Sequence, residues 1–247
     1  MIDLHTHILP GMDDGARDVE TSLAMLRLQQ EQQVQGVALT PHFYREDERP
    51  EQFFARRERA WERLQQGLER DGDTLPELVL GAEVAWVPGL NRWEELERFC
   101  LGSSRYLLLE LPDSPWRSSM IDQLYDLMDS SGIIPVLAHL DRSFRTQRAD
   151  HLREVLNMGV PVQISAQSML GFLQRRGVIQ RIRGNRDCVL ISDCHNLTDR
   201  RPNLGMGLAR AQKSLPSEQI AAMRRLSQTI FGQATGKETV YADYAEK

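Results

Sequence analysis

The sequence predicts an α/β protein whose parallel strands close into a barrel, and three observations lead there. Short apolar runs alternate with longer amphipathic segments, a pattern of parallel strands joined by right-handed helical crossovers. Seven such units can be traced, enough for a barrel or for an open doubly wound sheet. Chemistry-bearing residues collect at the C-terminal ends of many strands, as in barrel enzymes, rather than at the single switch point of an open sheet.

The first strand is expected over Ile2–His7. Asp18 then caps a helix whose Val19, Leu23, Leu26 and Val34 fit one apolar face. Gly36–His42 forms the second strand and its exit. A helix from about Pro50 places Phe53, Trp61, Leu64 and Leu68 at helical spacing. Leu78–Val84 and Tyr106–Leu111 are the third and fourth strands, and a helix over Met120–Ser130 leads to the fifth, Ile133–His139. Val160–Ser165 and Asp187–Asp193 are the sixth and seventh, followed by helices over Leu204–Ser214 and Ser217–Phe231. No linker or low-complexity tract divides the chain, so residues 1–247 are expected to form one domain.

Composition removes several function classes. A net charge of -5 lacks the basic face of a general nucleic-acid binder, so no nucleic-acid partner is expected. No run approaches the roughly 20 apolar residues that span a bilayer, and the N-terminus does not read as a signal peptide. A cytoplasmic protein without membrane insertion is expected, and the sequence is compatible with an oligomer. Lysine occurs only at Lys213, Lys237 and Lys247. A P-loop, or a Schiff-base or carbamylated lysine in the main body, is thereby excluded. Cys100 and Cys188 sit in apolar runs and read as inert core residues.

The strand ends carry the functional signal. His5 and His7 stand at i and i+2, on one face of a strand. His42, Glu83, Glu110, His139, Asp193 and His195 each close or follow an apolar run, and Asp13 and Asp14 lie in the first loop on the same side. Any one histidine reads as an ordinary hydrogen-bonded residue. Five of the six at matching ends, with carboxylates, read as metal ligands. Only His151 falls inside a helix, where it is expected on the solvated surface. Glu110 follows three leucines and needs a nearby cation, because an unpaired buried charge is costly. The donor count exceeds the three protein ligands of a catalytic zinc and suits two or three ions of manganese, iron or zinc.

Arginines flank these ends: Arg45 after His42, Arg142 after His139, and Arg200 and Arg201 after His195. Their planar donor forks match phosphate. A polynuclear centre with adjacent arginines suits hydrolysis of a phosphate ester.

The opening Met-Ile-Asp-Leu-His-Thr-His-Ile-Leu-Pro-Gly-Met-Asp-Asp-Gly and the late Ser-Asp-Cys-His-Asn-Leu-Thr-Asp-Arg-Arg-Pro resemble the polymerase-and-histidinol-phosphatase superfamily. The likeness is to its bacterial manganese-dependent tyrosine phosphatases of capsule and exopolysaccharide operons. It implies a distorted seven-unit barrel with a trinuclear site, most often manganese. It also implies ligands at His5, His7, Asp14, His42, Glu83, Glu110, His139, Asp193 and His195. Phosphate-binding arginines are implied at Arg142 and Arg200, with Arg201 as a neighbouring substrate contact, and Asp14 and His42 join the two arginines as catalytic residues. The implied substrate is the phosphotyrosine tail of a bacterial tyrosine autokinase. Two readings compete: a small-molecule phosphoesterase such as histidinol phosphatase, and a cysteine-dependent phosphatase using the Cys-x5-Arg spacing of Cys194 and Arg200. No glycine lies between those two residues to cradle a phosphate.

Overall fold

A computed structural model describes residues 1–72 and 75–237. Lys247 lies outside them. In chain order the elements are β1 (Ile2–Thr6), α1 (Val19–Glu31), β2 (Gly36–Leu39), β3 (His42–Phe43), α2 (Pro50–Asp71), β4 (Glu77–Leu80), β5 (Glu83–Ala85) and β6 (Tyr106–Glu110). They continue as α3 (Ser118–Ser131), β7 (Ile134–Leu137), α4 (Ala149–Leu156), β8 (Val162–Ser165), α5 (Ala166–Leu170), α6 (Phe172–Ile182), β9 (Cys188–Ile191), α7 (Leu204–Gln212) and α8 (Ser217–Ala234).

Every strand pair is parallel, in two ladders ordered β1-β2-β4 and β3-β5-β6-β7-β8-β9. The ladders are one wall, because two expected strands are each broken in the middle. Pro41 has no N–H to donate and separates β2 from β3, and Gly81–Ala82 separates β4 from β5. Backbone bonds cross both breaks, from Gly81 N to Leu39 O at 2.9 Å and from Glu83 N to Pro41 O at 3.0 Å. The ring closes from the last strand to the first: Asp193 N donates to His5 O at 3.1 Å and His7 N to Cys194 O at 2.9 Å. A parallel bridge joins Thr6 and Cys194.

Side chains alternate across this wall. Val37, Leu39, Leu107, Leu109 and Ile164 point to the helical layer. Leu108, Val136, Val189 and Ile191 fill the barrel, where Ile230, Phe231 and Ala234 of α8 join them. Asp18 caps α1 as expected, accepting from Thr21 N at 2.8 Å. The strands stop short of the expected residues at the site end: β1 at Thr6, β7 at Leu137 and β9 at Ile191. His139 and Asp193 follow with φ of 26° and 53°, outside any strand conformation.

Two expected placements fail. α1 ends at Glu31, so Val34 lies beyond the helix whose apolar face it was expected to join. His151 is not on the solvated surface: it is 8% exposed, inside α4, with Nε2 3.5 Å from the Ser118 hydroxyl. The 3.6 spacing of α4 puts it beside Leu152 and Val155 on the face turned to α3.

Candidate metal centre

The strand ends bring all nine candidate ligands to one rim. His5 and His7 leave β1, His42 and Glu83 open β3 and β5, Glu110 ends β6, and His139, Asp193 and His195 stand in the loops after β7 and β9. Three groups of donor atoms have every ligand atom within 4.8 Å of the others: His7, Asp14, His42 and His195; His5, His7 and Asp193; and His42, Glu83 and Glu110. His139 Nε2 joins the last group, 2.8 Å from Glu83 Oε1 and 3.4 Å from Glu110 Oε1.

Hydrogen bonds among these donors, such as His139 to Glu83 Oε1, leave other buried atoms of the set unsatisfied. Glu83 Oε2 lies 3.0 Å from His42 Nδ1, 3.1 Å from His5 Nε2 and 3.3 Å from His7 Nε2. It is nevertheless buried without a well-formed hydrogen bond, as is His195 Nε2. The Nε2 atoms of His5 and His7 face each other at 3.1 Å. Two donors at right angles, each about 2.1 Å from a shared ion, stand about 3 Å apart. The donor set therefore fits cations, and it explains the orphaned buried atoms that hydrogen bonding leaves over.

The charges are tightly coupled. Burial works against ionised Glu83, yet the neighbouring His5, His139 and His42 hold its carboxyl well below the usual range. Burial pulls His7 down, but the Asp13 and Glu83 carboxylates push it up to about 10. His139 rises against the same burial to about 9, beside Glu110 and Glu83. Burial raises Asp193, and His5 with Arg142 brings it back down to about 2. Burial and the His7 charge drop His195 to about 4.

Gln163 and Asp141 were not singled out from sequence, and Asp13 was expected only on the ligand side of the first loop. Asp13 Oδ2 accepts from His7 Nδ1 at 2.7 Å and from His42 N at 3.0 Å, and its Oδ1 accepts from Gly15 N at 3.0 Å. Its carboxylate thereby turns His7 Nε2 toward the centre. A Cβ at Gly15 would lie 2.1 Å from His7 O, so only glycine lets the loop pack this closely. Gln163 Oε1 is 2.8 Å from His5 Nδ1 and fixes the other imidazole in the same way. A glutamine in the middle of an apolar strand was the available signal. Asp141, buried two residues after His139, accepts from the Ser165 amide at 2.8 Å and ties the β7 loop to β8.

The arginines sort themselves. Arg142 reaches the Asp193 carboxylate, and Arg200 donates to Asp193 Oδ2 at 3.0 Å and reaches Asp14 Oδ2 at 3.4 Å. Arg201, next in sequence, is exposed and takes no part in the ion pairs to Asp193 and Asp14 among the described residues. Arg45 lies over the Trp93 ring at 4.0 Å instead of entering the site. Cys194 is fully buried, its thiol pushed up by burial and by Asp3, and the Gln29 amide approaches its sulfur at 3.7 Å. A protonated, inaccessible thiol cannot serve as a nucleophile.

A parallel barrel that gathers nine imidazole and carboxylate donors at its C-terminal rim is an α/β barrel with a candidate metal centre. Within that class the chain belongs to the CpsB/CapC family of capsular polysaccharide synthesis, whose model matches residues 1–227. It is 28% identical over 246 residues to the tyrosine-protein phosphatase YwqE of Bacillus subtilis, covering 94% of each chain. It is 30% identical over 217 residues to the tyrosine-protein phosphatase CpsB of Streptococcus pneumoniae, covering 82% of this chain and 86% of that one. A crystal structure from work on YwqE and CpsB, described as unique metal-dependent tyrosine phosphatases, shares the fold. Its TM-score is 0.80 at 24% identity, over 96% of both chains.

Proposed function

We propose that this chain is a metal-dependent protein-tyrosine phosphatase. One observation carries the reading: nine donor side chains converge beside Arg142 and Arg200, which both reach the Asp193 carboxylate. Tyrosine-protein phosphatase is also the activity in the names of its relatives.

In this reading His5, His7 and Asp193 would hold one ion, Asp14, His42 and His195 a second, and Glu83, Glu110 and His139 a third. Manganese suits the mixed imidazole and carboxylate set, as do iron and zinc. Bound ions supply Lewis acidity toward water and toward the phosphoryl oxygens.

The protein's own groups do the rest. Arg142 and Arg200 exchange their bonds to Asp193 and Asp14 for bonds to the phosphoryl oxygens, where charge grows in the transition state. Asp14, whose side chain is 61% exposed, lies 3.3 Å from His195 and 3.5 Å from His42. The exposed Asp14 carboxylate takes the proton of the attacking water and passes it to solvent, with His42 beside it holding it in place. The departing phenolate has a conjugate acid of pKa about 10, so the leaving group needs little help from an acid.

The proposed substrate is the phosphotyrosine-bearing tail of a bacterial tyrosine autokinase that controls polysaccharide export, met in the cytoplasm. Three free cysteines suit a reducing compartment. The test compares turnover of a phosphotyrosine peptide with that of histidinol phosphate by the manganese-loaded protein. Preference for the peptide is expected. Preference for histidinol phosphate would move the chain to the small-molecule phosphoesterases.

A further inference from the structure

Charge is unevenly spread along this chain. Nine arginines and four carboxylates lie between residues 140 and 187, although the whole carries -5, so the remainder is correspondingly more acidic. Four of these arginines, Arg153, Arg181, Arg183 and Arg186, line one groove of about 720 Å³ between α4 and α6, where Asp187 is the lone carboxylate. Nearby ion pairs occupy Arg142 and Arg148, but among the described residues none of the four takes part in one. Arg183 is held by Ser214 O at 2.9 Å and Arg181 by Gly177 O at 3.1 Å, which leaves their charges uncompensated.

One short turn links the upper end of the groove to the metal centre, while Arg183 and Arg186 lie toward the N-terminal end of β9. The short 3-10 turn Leu140–Arg145 sends Arg142 to Asp193 and Phe144 into the groove, where the Arg181 guanidinium lies 5.6 Å from its ring centre. A concave slot lined by guanidinium forks recognises carboxylates or phosphates on an extended chain. A flat lipid surface would meet the acidic remainder of the molecule as well. We infer that this groove holds an acidic stretch of the protein substrate flanking the phosphotyrosine, an inference that rests on the phosphatase reading above.

The test uses the full-length, metal-loaded protein and the triple variant Arg153→Ala, Arg181→Ala, Arg186→Ala. A matched triple at exposed arginines elsewhere, Arg59→Ala, Arg70→Ala, Arg225→Ala, removes the same charge. Fluorescence anisotropy of a labelled, unphosphorylated glutamate-rich peptide reports groove binding without turnover, and a phosphoserine-rich peptide distinguishes phosphate from carboxylate. KM is then measured for phosphotyrosine peptides flanked by glutamates or by alanines, with p-nitrophenyl phosphate as a substrate too small to reach the groove. The groove triple is expected to raise Kd and KM for the acidic peptides about tenfold, three contacts each worth about a factor of two. Turnover of p-nitrophenyl phosphate and KM for the alanine peptide stay unchanged, and the matched triple behaves like the parent. Unchanged acidic-peptide affinity in the groove triple, or equal losses in both triples, overturns the inference. So does a loss confined to vesicles of anionic phospholipid, which would assign the groove to a membrane. If the parent fails to hydrolyse p-nitrophenyl phosphate, the phosphatase reading falls, while the anisotropy still decides the groove.

Discussion

Inside the barrel, Val136 and Val189 join Ile230 and Phe231 of α8 in a buried apolar layer; at the C-terminal rim, five imidazoles and four carboxylates crowd together with two backbone positions at positive φ. The first region gains free energy by burial, at about 25 cal/mol per Å² of apolar surface. The second spends part of it on buried charge and on the strained His139 and Asp193 backbones, which cost about 1–3 kcal/mol each. Stability and chemistry are thus assigned to different layers of one wall, and substitutions in the two should have opposite signatures.

The sharpest way to break this comparison is His5→Ala or His139→Ala. Turnover of a phosphotyrosine peptide is expected to vanish while the circular dichroism spectrum is retained and the protein still unfolds cooperatively. Unfolding of both variants would show that the rim carries the fold as well. The reverse experiment is Phe231→Ala. It should cost about 3–5 kcal/mol in denaturant unfolding, with turnover per folded molecule near that of the parent.

Smaller effects separate residues within the rim. Arg142→Ala is expected to lower kcat/KM about a hundredfold, whereas Arg201→Ala changes it less than twofold. Asp13→Asn leaves the ligand set intact and should weaken metal affinity about 10- to 100-fold by releasing His7.

Protons give a further handle. His7 and His139 of the metal-free protein are raised to about 10 and about 9, above the 6.5 of an unfolded histidine. Their protonation therefore stabilises the metal-free fold fully below pH 6.5, and that contribution is lost as pH rises through 9 to 10. Ligation needs the neutral rings, so metal affinity should rise with pH over the same range. Loading at pH 7 should release protons, measurable by calorimetry in buffers of different ionisation enthalpy. The smallest change is expected from Cys194→Ser, which leaves turnover within a few-fold.

Much of this layout was legible in the sequence because two independent periodicities agreed. Alternating apolar runs located seven strand units, and the polar residue closing each run marked its C-terminal end. The strand breaks were harder to foresee: Pro41 and Gly81 sit inside otherwise continuous apolar runs, and only the neighbouring strands show that the ladder continues across them. The helices α5 and α6 escaped because Gly171 and the polar Gln174–Arg176 interrupt their apolar spacing. Asp13 and Gln163 hold the imidazoles through contacts made only in three dimensions, and His151 is buried because α3 covers it. Which of adjacent Arg200 and Arg201 reaches Asp193 likewise depends on the loop conformation, in which His195 N donates to Arg200 O at 2.8 Å.

The most direct measurement is the metal content and turnover of chelator-stripped protein as manganese is returned, with bound ions counted by mass spectrometry. Two or three ions per chain are expected to bind as phosphotyrosine hydrolysis recovers, and His7→Ala should reduce both together. Full activity in protein verified to be metal-free would contradict the account.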